Sequence, residues 1–159
     1  PGHALAHRAF EQGITIAEKI AGADPKPVID DTVPQVVFSF PEAASVGLTL
    51  DQAKAREGVV EPKETAYPML SNARMLMSGE GGSMTVVSGA FANNPDMQVV
   101  LGVHIVSPIA SDLIAEAEQL VGNRVPLADA ARLIHPHPTF SETLGEALLK
   151  ADGRPLHTR

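Results

Sequence analysis

Two β-prone runs, Met84–Ala92 and Met97–Val106, constrain the fold of this chain more than any other feature. They flank a turn cluster, Asn93-Asn94-Pro95-Asp96. Two such runs with so short a connection can pair only as an antiparallel hairpin, because a parallel pair needs a long crossover. Shorter β-prone runs precede them. Gln35–Phe40 is closed by Pro41, and Ala44–Leu48 contains Gly47, which marks a bulge or a close backbone approach. Val59–Tyr67 carries Pro62, which places that strand at a sheet edge. Thr49-x-x-Gln52 is a capping-box signal and opens a short helix to Gly58. Residues 71–83 read as irregular. Gly79-Glu80-Gly81-Gly82 is too short for a phosphate loop and is a turn.

After the hairpin the pattern becomes helical. Ser107-Pro108 supplies an N-cap with proline at the first helical position, and Ile109, Leu113, Ile114, Ala117, Leu120 and Val121 share one face. Pro126 starts a short helix to about Leu133. Thr139 caps a final helix with Phe140, Leu144, Ala147 and Leu148 as its buried stripe. Strands followed by helices, without βαβ alternation, predict an α+β fold: an antiparallel sheet with helices packed on one face.

The start of the chain differs in kind. Residues 4–21 read as a helix, with Gly13 hinting at close packing and Gly22 as its stop. Pro25, Pro27 and Pro34 then mark a linker. The expected division is a helical piece over 1–22, a linker over 23–33 and a domain over 34–159. Pro1-Gly2-His3 has neither a basic n-region nor an apolar h-region and reads as a cut inside a longer chain.

Composition narrows the chemistry. The net charge of −7 argues against nucleic acid or an anionic membrane as partner. No apolar run is long enough to span a bilayer. The absence of cysteine excludes disulfides, thiolate metal sites and thiol nucleophiles within these residues, and fits a cytoplasmic protein.

The chemistry concentrates in His135-Pro136-His137-Pro138-Thr139-Phe140-Ser141-Glu142. An imidazole oriented by a carboxylate is a general acid/base pair, and His137 and Glu142 are the candidates. Thr139-x-x-Glu142 is equally a capping box, with the carboxylate returning to the Thr139 amide. Its two oxygens allow both roles. Pro138 keeps His137 extended and is a candidate for a cis bond. His135-x-His137 has the spacing of a metal pair on a strand, but no third ligand is evident, so no metal is expected. His104 reads as a strand histidine, and His3 and His7 as polar positions on a helix.

These residues resemble a known family. The segment 135–142 is similar to the signature of the C-terminal interface (dimerisation) domain of the flavoprotein pyridine nucleotide-disulfide oxidoreductases, most closely in its dihydrolipoamide dehydrogenase branch. Phe40-Pro41-Glu42-Ala43-Ala44-Ser45-Val46-Gly47-Leu48-Thr49 resembles that family's Pro-Glu-x-Ala-Ser-Val-Gly segment. Leu101–Val106 followed by Ala110–Ile114 resembles its strand-to-helix passage. Asn72-Ala73-Arg74-Met75 stands where it has a Gly-Arg-Ala-like turn, here changed. Leu5-Ala6-His7-Arg8-Ala9 resembles the helix after its Gly-Asp flavin motif.

The resemblance implies roles. His137 would be the acid/base for thiol–disulfide exchange at the redox disulfide of the other subunit of a homodimer, with Glu142 orienting it. Pro138 would be cis, Thr139 structural, and His135 a neighbour in the site wall. Ala4, Leu5, Ala6 and His7 would lie near the flavin. The parent enzyme would use FAD and NAD and act on a lipoyl-bearing protein. The chain has no Gly-x-Gly-x-x-Gly fingerprint and no cysteine pair, so by itself it is expected to bind neither cofactor and to be inactive. The alternatives are the same domain of a glutathione-type reductase, and a dimerisation module without chemistry. The tail, residues 151–159, is expected to be flexible.

Overall fold

The computed structural model describes residues 2–158. The chain divides between Val33 and Pro34 into two compact units.

In the first unit, α1 spans Ala6–Ile20, and none of its residues is buried. Gly22, in the left-handed region at φ 88°, follows its C-terminal end. The close packing expected at Gly13 is absent: a Cβ there would meet no described atom within 4 Å. Asp30–Thr32 forms a 3₁₀ turn, and the Arg8 guanidinium donates to Asp30 Oδ1 at 2.8 Å, tying the proline-rich segment to α1.

The second unit is built on one antiparallel five-stranded sheet in the order β1-β2-β5-β4-β3. The strands are β1 (Gln35–Val37), β2 (Glu42–Gly47), β3 (Val59–Pro68), β4 (Ser83–Phe91) and β5 (Asn94–Ser107). Its centre is the expected hairpin of β4 and β5. β3 lies at the edge as Pro62 indicated, and its register with β4 shifts between Val60 and Lys63, around that proline. The helices are α2 (Leu50–Ala55), α3 (Ala73–Ser78), α4 (Ala110–Gly122), α5 (Leu127–Ala130) and α6 (Glu142–Ala151).

The α+β expectation therefore matches the architecture. α4 packs over β2 and β5, and α6 over β3 and β4. Between sheet and helices lies the main core, which includes Tyr67, Met84, Val86, Val103, Ile105, Leu113, Leu144 and Leu148. Each fully buried aliphatic side chain there contributes about 1.5–3 kcal/mol. A smaller cluster joins Leu48, Val87, Val99 and Leu101 to Ala53 of α2, so α2 adds a helix beyond the expected helical layer.

A register shift between Val87 and Ser88 switches the alternation. Val87 pairs with Gly102 and Ser88 with Val100, leaving Leu101 as the extra residue. Gly47 and Gly102 meet at this irregularity. A Cβ on Gly47, whose φ is 79°, would fall 2.2 Å from the Leu101 carbonyl oxygen. One on Gly102 would fall equally close to that of Leu48. The close approach expected at Gly47 is real.

Several local expectations are corrected. The hairpin turn is Ala92-Asn93, and Asn94-Pro95-Asp96 already belongs to β5. Residues 71–83 contain a helix, α3, because Asn72 caps it and Gly79, at φ 71°, closes it. Ser107 is not the cap of the long helix. It is fully buried at the end of β5, and α4 starts at Ala110. The amide of Ser111 in the first turn of α4 donates instead to Glu42 of β2 at 2.8 Å, an acceptor from a remote strand. Thr139 is not the cap of the last helix either. That helix begins at Glu142, because residues 139–141 are held in a hydrogen-bonded turn of their own. The tail is attached: the Glu146 carboxylate binds His157 Nδ1 at 2.7 Å and accepts from its backbone N–H at 3.3 Å.

Candidate functional site

The candidate site is the loop between α5 and α6. Its prolines, 136 and 138, withhold backbone donors, so the loop is held mostly by side chains. Thr139 Oγ1 donates to the Pro136 carbonyl at 2.6 Å and lies 2.9 Å from Ser141 Oγ. The Thr139 amide donates to Glu142 Oε2 at 2.8 Å. This is one half of the expected capping box. The Thr139 hydroxyl serves the loop, not the helix amides. The His137–Pro138 peptide is cis, as is Phe40–Pro41, for which the sequence carries no comparable signal.

The second oxygen of Glu142 is 2.8 Å from His137 Nδ1. The two readings of this carboxylate thus coexist, one on each oxygen. Burial pushes the Glu142 carboxyl up. The Thr139 amide, then the His137 hydrogen bond and the charges of His137 and His135, outweigh it and hold the group below its ordinary value. An ionised acceptor at Nδ1 requires a proton on that nitrogen. The neutral ring then presents Nε2 as a base. The His137 side chain is 67% exposed while that of Glu142 is 18% exposed, so the basic nitrogen is open and its anchor is sheltered. Such a pair can take a proton from one donor and return it to another.

His135 is placed differently. Its side chain is only 9% exposed, and Nε2 lies 2.7 Å from Glu116 Oε1 on α4. The Glu116 hydrogen bond raises its pKa above the ordinary histidine value against the opposing effect of burial. The two histidines of the expected metal spacing are thus each occupied by a different carboxylate. Among the described residues no group of three or more His, Asp or Glu is placed to hold a metal. His104 is the expected strand histidine, its Nε2 3.1 Å from the Leu48 carbonyl.

Three contributors were missed. Asn72 is buried, caps α3 through the Arg74 and Met75 amides, and donates to the Thr139 carbonyl at 3.2 Å. It is the direct strap between the β3–β4 connection and the site loop. Asn before a helix-forming run is a legible cap signal, but its reach to Thr139 is not. Arg74 lies over the Phe140 ring at 5.3 Å and covers the same loop. Glu116, the partner of His135, sits on the polar side of α4, where sequence gives it no distinction.

In the first unit, Ala4, Leu5 and Ala6 line a hollow at the N-terminal end of α1 with Arg8 and Gln12, and His7 is exposed outside that lining. The helix start carries no side-chain cap and no acidic residue in its first turn, so the positive end of its dipole favours an electron-rich group there. No described helix is long and apolar enough to cross a membrane.

Residues 33–148 match the family described as pyridine nucleotide-disulphide oxidoreductase, dimerisation domain. Among curated proteins the chain is 40% identical over 157 residues to a dihydrolipoyl dehydrogenase of Bacillus subtilis, covering 98% of this chain and 32% of that protein. It is 42% identical over 158 residues to a dihydrolipoyl dehydrogenase of Cupriavidus necator, covering 98% of this chain and 31% of that one. The chain thus spans about a third of the length of these relatives. Among solved structures, LpdA from Mycobacterium tuberculosis superposes with a TM-score of 0.82 at 29% identity, over 92% of this chain and 31% of that one. The HOCl-induced flavoprotein disulfide reductase RclA from Escherichia coli shares the fold, with a TM-score of 0.73 at 19% identity over 92% of this chain and 33% of that one. A family match over most of the chain, on the antiparallel fold just described, makes this chain a member of the pyridine nucleotide-disulphide oxidoreductase dimerisation-domain family.

Proposed function

We propose that this chain serves a dihydrolipoamide dehydrogenase, in which His137 is the acid/base of thiol–disulfide exchange and Glu142 its orienting carboxylate. The observation that carries the reading is the contact of His137 Nδ1 with Glu142 Oε1 at 2.8 Å, beside an exposed ring. In the exchange, a substrate thiol attacks one sulfur of a disulfide and expels the other as thiolate. His137 Nε2 takes the proton of the attacking thiol and returns it to the leaving sulfur, while Glu142 stabilises the imidazolium formed in between. Thr139 and Pro138 keep the ring and the carboxylate in register, and Asn72 and Arg74 hold the loop.

This chain has no cysteine, so the disulfide is supplied from elsewhere, in this reading by the partner subunit of a homodimer. The positive dipole end and small residues at the start of α1 suit the electron-rich edge of a flavin, with Ala4, Leu5 and Ala6 against it. Bound FAD would supply the two-electron couple between the disulfide and NAD. No residue of this chain is assigned to NAD. Residues 1–22 then belong with the flavin-binding part, 23–33 link it, and 34–159 form the interface domain of a cytoplasmic enzyme whose substrate is a lipoyl-bearing protein.

The test is His137→Gln in a polypeptide that carries flavin and nucleotide domains ahead of this chain. Dihydrolipoamide:NAD turnover should fall by about 10²–10⁴-fold, with the flavin spectrum unchanged. Near-normal turnover would remove His137 from the mechanism. A wild-type enzyme active on glutathione disulfide but not on dihydrolipoamide would move the substrate class.

A further inference from the structure

The tail, residues 152–158, turns back on α6. Gly153, at φ 78°, reverses the chain, and the Gly153 and Arg154 amides donate to the Lys150 and Leu149 carbonyls at 3.0 and 2.8 Å. The tail then runs back along the helix until His157 meets Glu146. There the arrangement of the candidate site recurs. His157 Nδ1 lies 2.7 Å from Glu146 Oε1, as His137 Nδ1 lies 2.8 Å from Glu142 Oε1. The second oxygen of each carboxylate accepts a backbone N–H, from His157 at 3.3 Å and from Thr139 at 2.8 Å. In both pairs the ring is open and its anchor sheltered: the side chains of His157 and Glu146 are 58% and 9% exposed, against 67% and 18% in the first pair. We propose that His157 and Glu146 form a second acid/base pair, which takes the proton of the second thiol when a dithiol is oxidised.

Glu142 and Glu146 are four positions apart on α6, which puts their Cβ atoms about 5–6 Å apart on one face of the helix. Like charges at this spacing repel, and each carboxylate is met by two N–H donors of its own. A carboxylate accepting from Nδ1 leaves the neutral ring with Nε2 as its basic nitrogen. Among the described residues no group bonds His157 Nε2. The chemistry rests on the thiol–disulfide reading above. In the first exchange one substrate thiol attacks the enzyme disulfide, and His137 takes its proton and returns it to the expelled sulfur. A mixed disulfide remains, and the second substrate thiol still carries its proton. That proton passes to His157 Nε2 as the sulfur attacks the substrate sulfur of the mixed disulfide. The bond between substrate and enzyme sulfurs breaks, and the expelled enzyme sulfur takes the proton from the imidazolium. The substrate loses two electrons and two protons and closes its own disulfide. The enzyme disulfide gains them, with no further oxidant.

The test uses the polypeptide with flavin and nucleotide domains ahead of this chain, mixed with dihydrolipoamide, quenched in acid and read by mass spectrometry. His157→Asn keeps a side-chain N–H donor for Glu146 and removes the base. In it the mixed disulfide should form at the wild-type rate and then persist, its decay slowed about 10²-fold, the low end for a lost acid/base group. His137→Gln should instead form little of it. A second measurement needs no variant. Nitrogen-15 NMR, at a pH where the ring is neutral, should find His157 protonated at Nδ1 and bare at Nε2.

Wild-type decay of the mixed disulfide in folded His157→Asn overturns the second pair and leaves the tail a clasp on α6. A neutral His157 with its proton on Nε2 overturns it equally. Should His157→Asn fail to fold, Glu146→Gln, which removes the charge behind the ring, is put through the same quench, and wild-type decay there overturns the pair. If His137→Gln forms the mixed disulfide at the wild-type rate while His157→Asn accumulates it, the role of His137 fails and the second pair stands. If His137→Gln forms none and His157→Asn decays normally, the role of His137 stands and only the second pair fails. A wild-type enzyme that forms no mixed disulfide with dihydrolipoamide overturns both.

Discussion

Asn72 concentrates the difference between local and remote signals in one side chain. Its oxygen accepts from the Arg74 and Met75 amides, and its nitrogen donates to the Thr139 carbonyl, 67 positions away. The cap is written in sequence, as Asn before Ala-Arg-Met-Leu-Met. The strap is not, because it depends on where the sheet carries β3 and β4. Glu116 and His135 have the same standing: α4 fixes one, the loop fixes the other, and only the fold joins them. By contrast His137 and Glu142 are five positions apart at a helix start, so their meeting is legible. Asn72→Ala should destabilise the second unit by about 1–3 kcal/mol, from a lost cap and a lost buried hydrogen bond. Asn72→Asp keeps the cap acceptor, loses the donor to Thr139, and should fall between wild type and alanine in a urea titration. Equal losses for the two substitutions would place all of the energy in the strap.

At the scale of elements, the turn cluster predicted the hairpin, Pro62 the edge strand and periodicity the faces of α4 and α6, because those signals are carried by neighbours in sequence. It failed where two elements share one constraint. α4 lost its expected proline start because the end of β5 buries Ser107, and Glu42 of β2 supplies the remote acceptor. The last helix starts late because Thr139 bonds back to Pro136. The bulge at Leu101 is a shared constraint of the same kind, since Gly102 admits the Leu48 backbone and Gly47 admits that of Leu101. Backbone oxygens cannot withdraw as flexible side chains can, so Gly102→Ala must push β2 away from β5. The expected cost is about 3 kcal/mol or more, near the upper end for single substitutions. Gly13→Ala, in open space on α1, should instead gain about 0.5–1 kcal/mol of helix stability. Chemical denaturation of the two variants side by side checks both signs. A Gly102→Ala chain as stable as wild type would show that the β2–β5 contact is loose.

For the whole molecule, three anchored charges determine how stability depends on pH. The Glu42 carboxyl is held below its ordinary value of 4.5 by the Ser111 amide. Glu142 is also held below 4.5, by the Thr139 amide and its two histidine neighbours. For such groups the unfolded chain binds more protons than the folded one at acid pH. Their stabilisation is complete above the unfolded value and is lost as pH falls through the folded one. His135 runs the other way. Its folded value lies above the ordinary 6.5, so its stabilisation is complete below 6.5 and is lost as pH rises through the folded value. Glu118, raised by burial, subtracts stability as pH rises through its folded value, the opposite sense to the two lowered carboxyls. Together these groups place the broadest stability between the ordinary carboxylate and histidine values, with decline on both sides. Each limb has its own anchor, so substitution can separate them. Glu42→Gln, which removes the charge bonded to the Ser111 amide, should flatten the acid limb of a Tm–pH profile and leave the other intact. Glu116→Gln should flatten the neutral-to-alkaline limb only. Parallel displacement of the whole profile by either substitution would mean that general repulsion at net charge −7 governs the pH response, and not these local anchors.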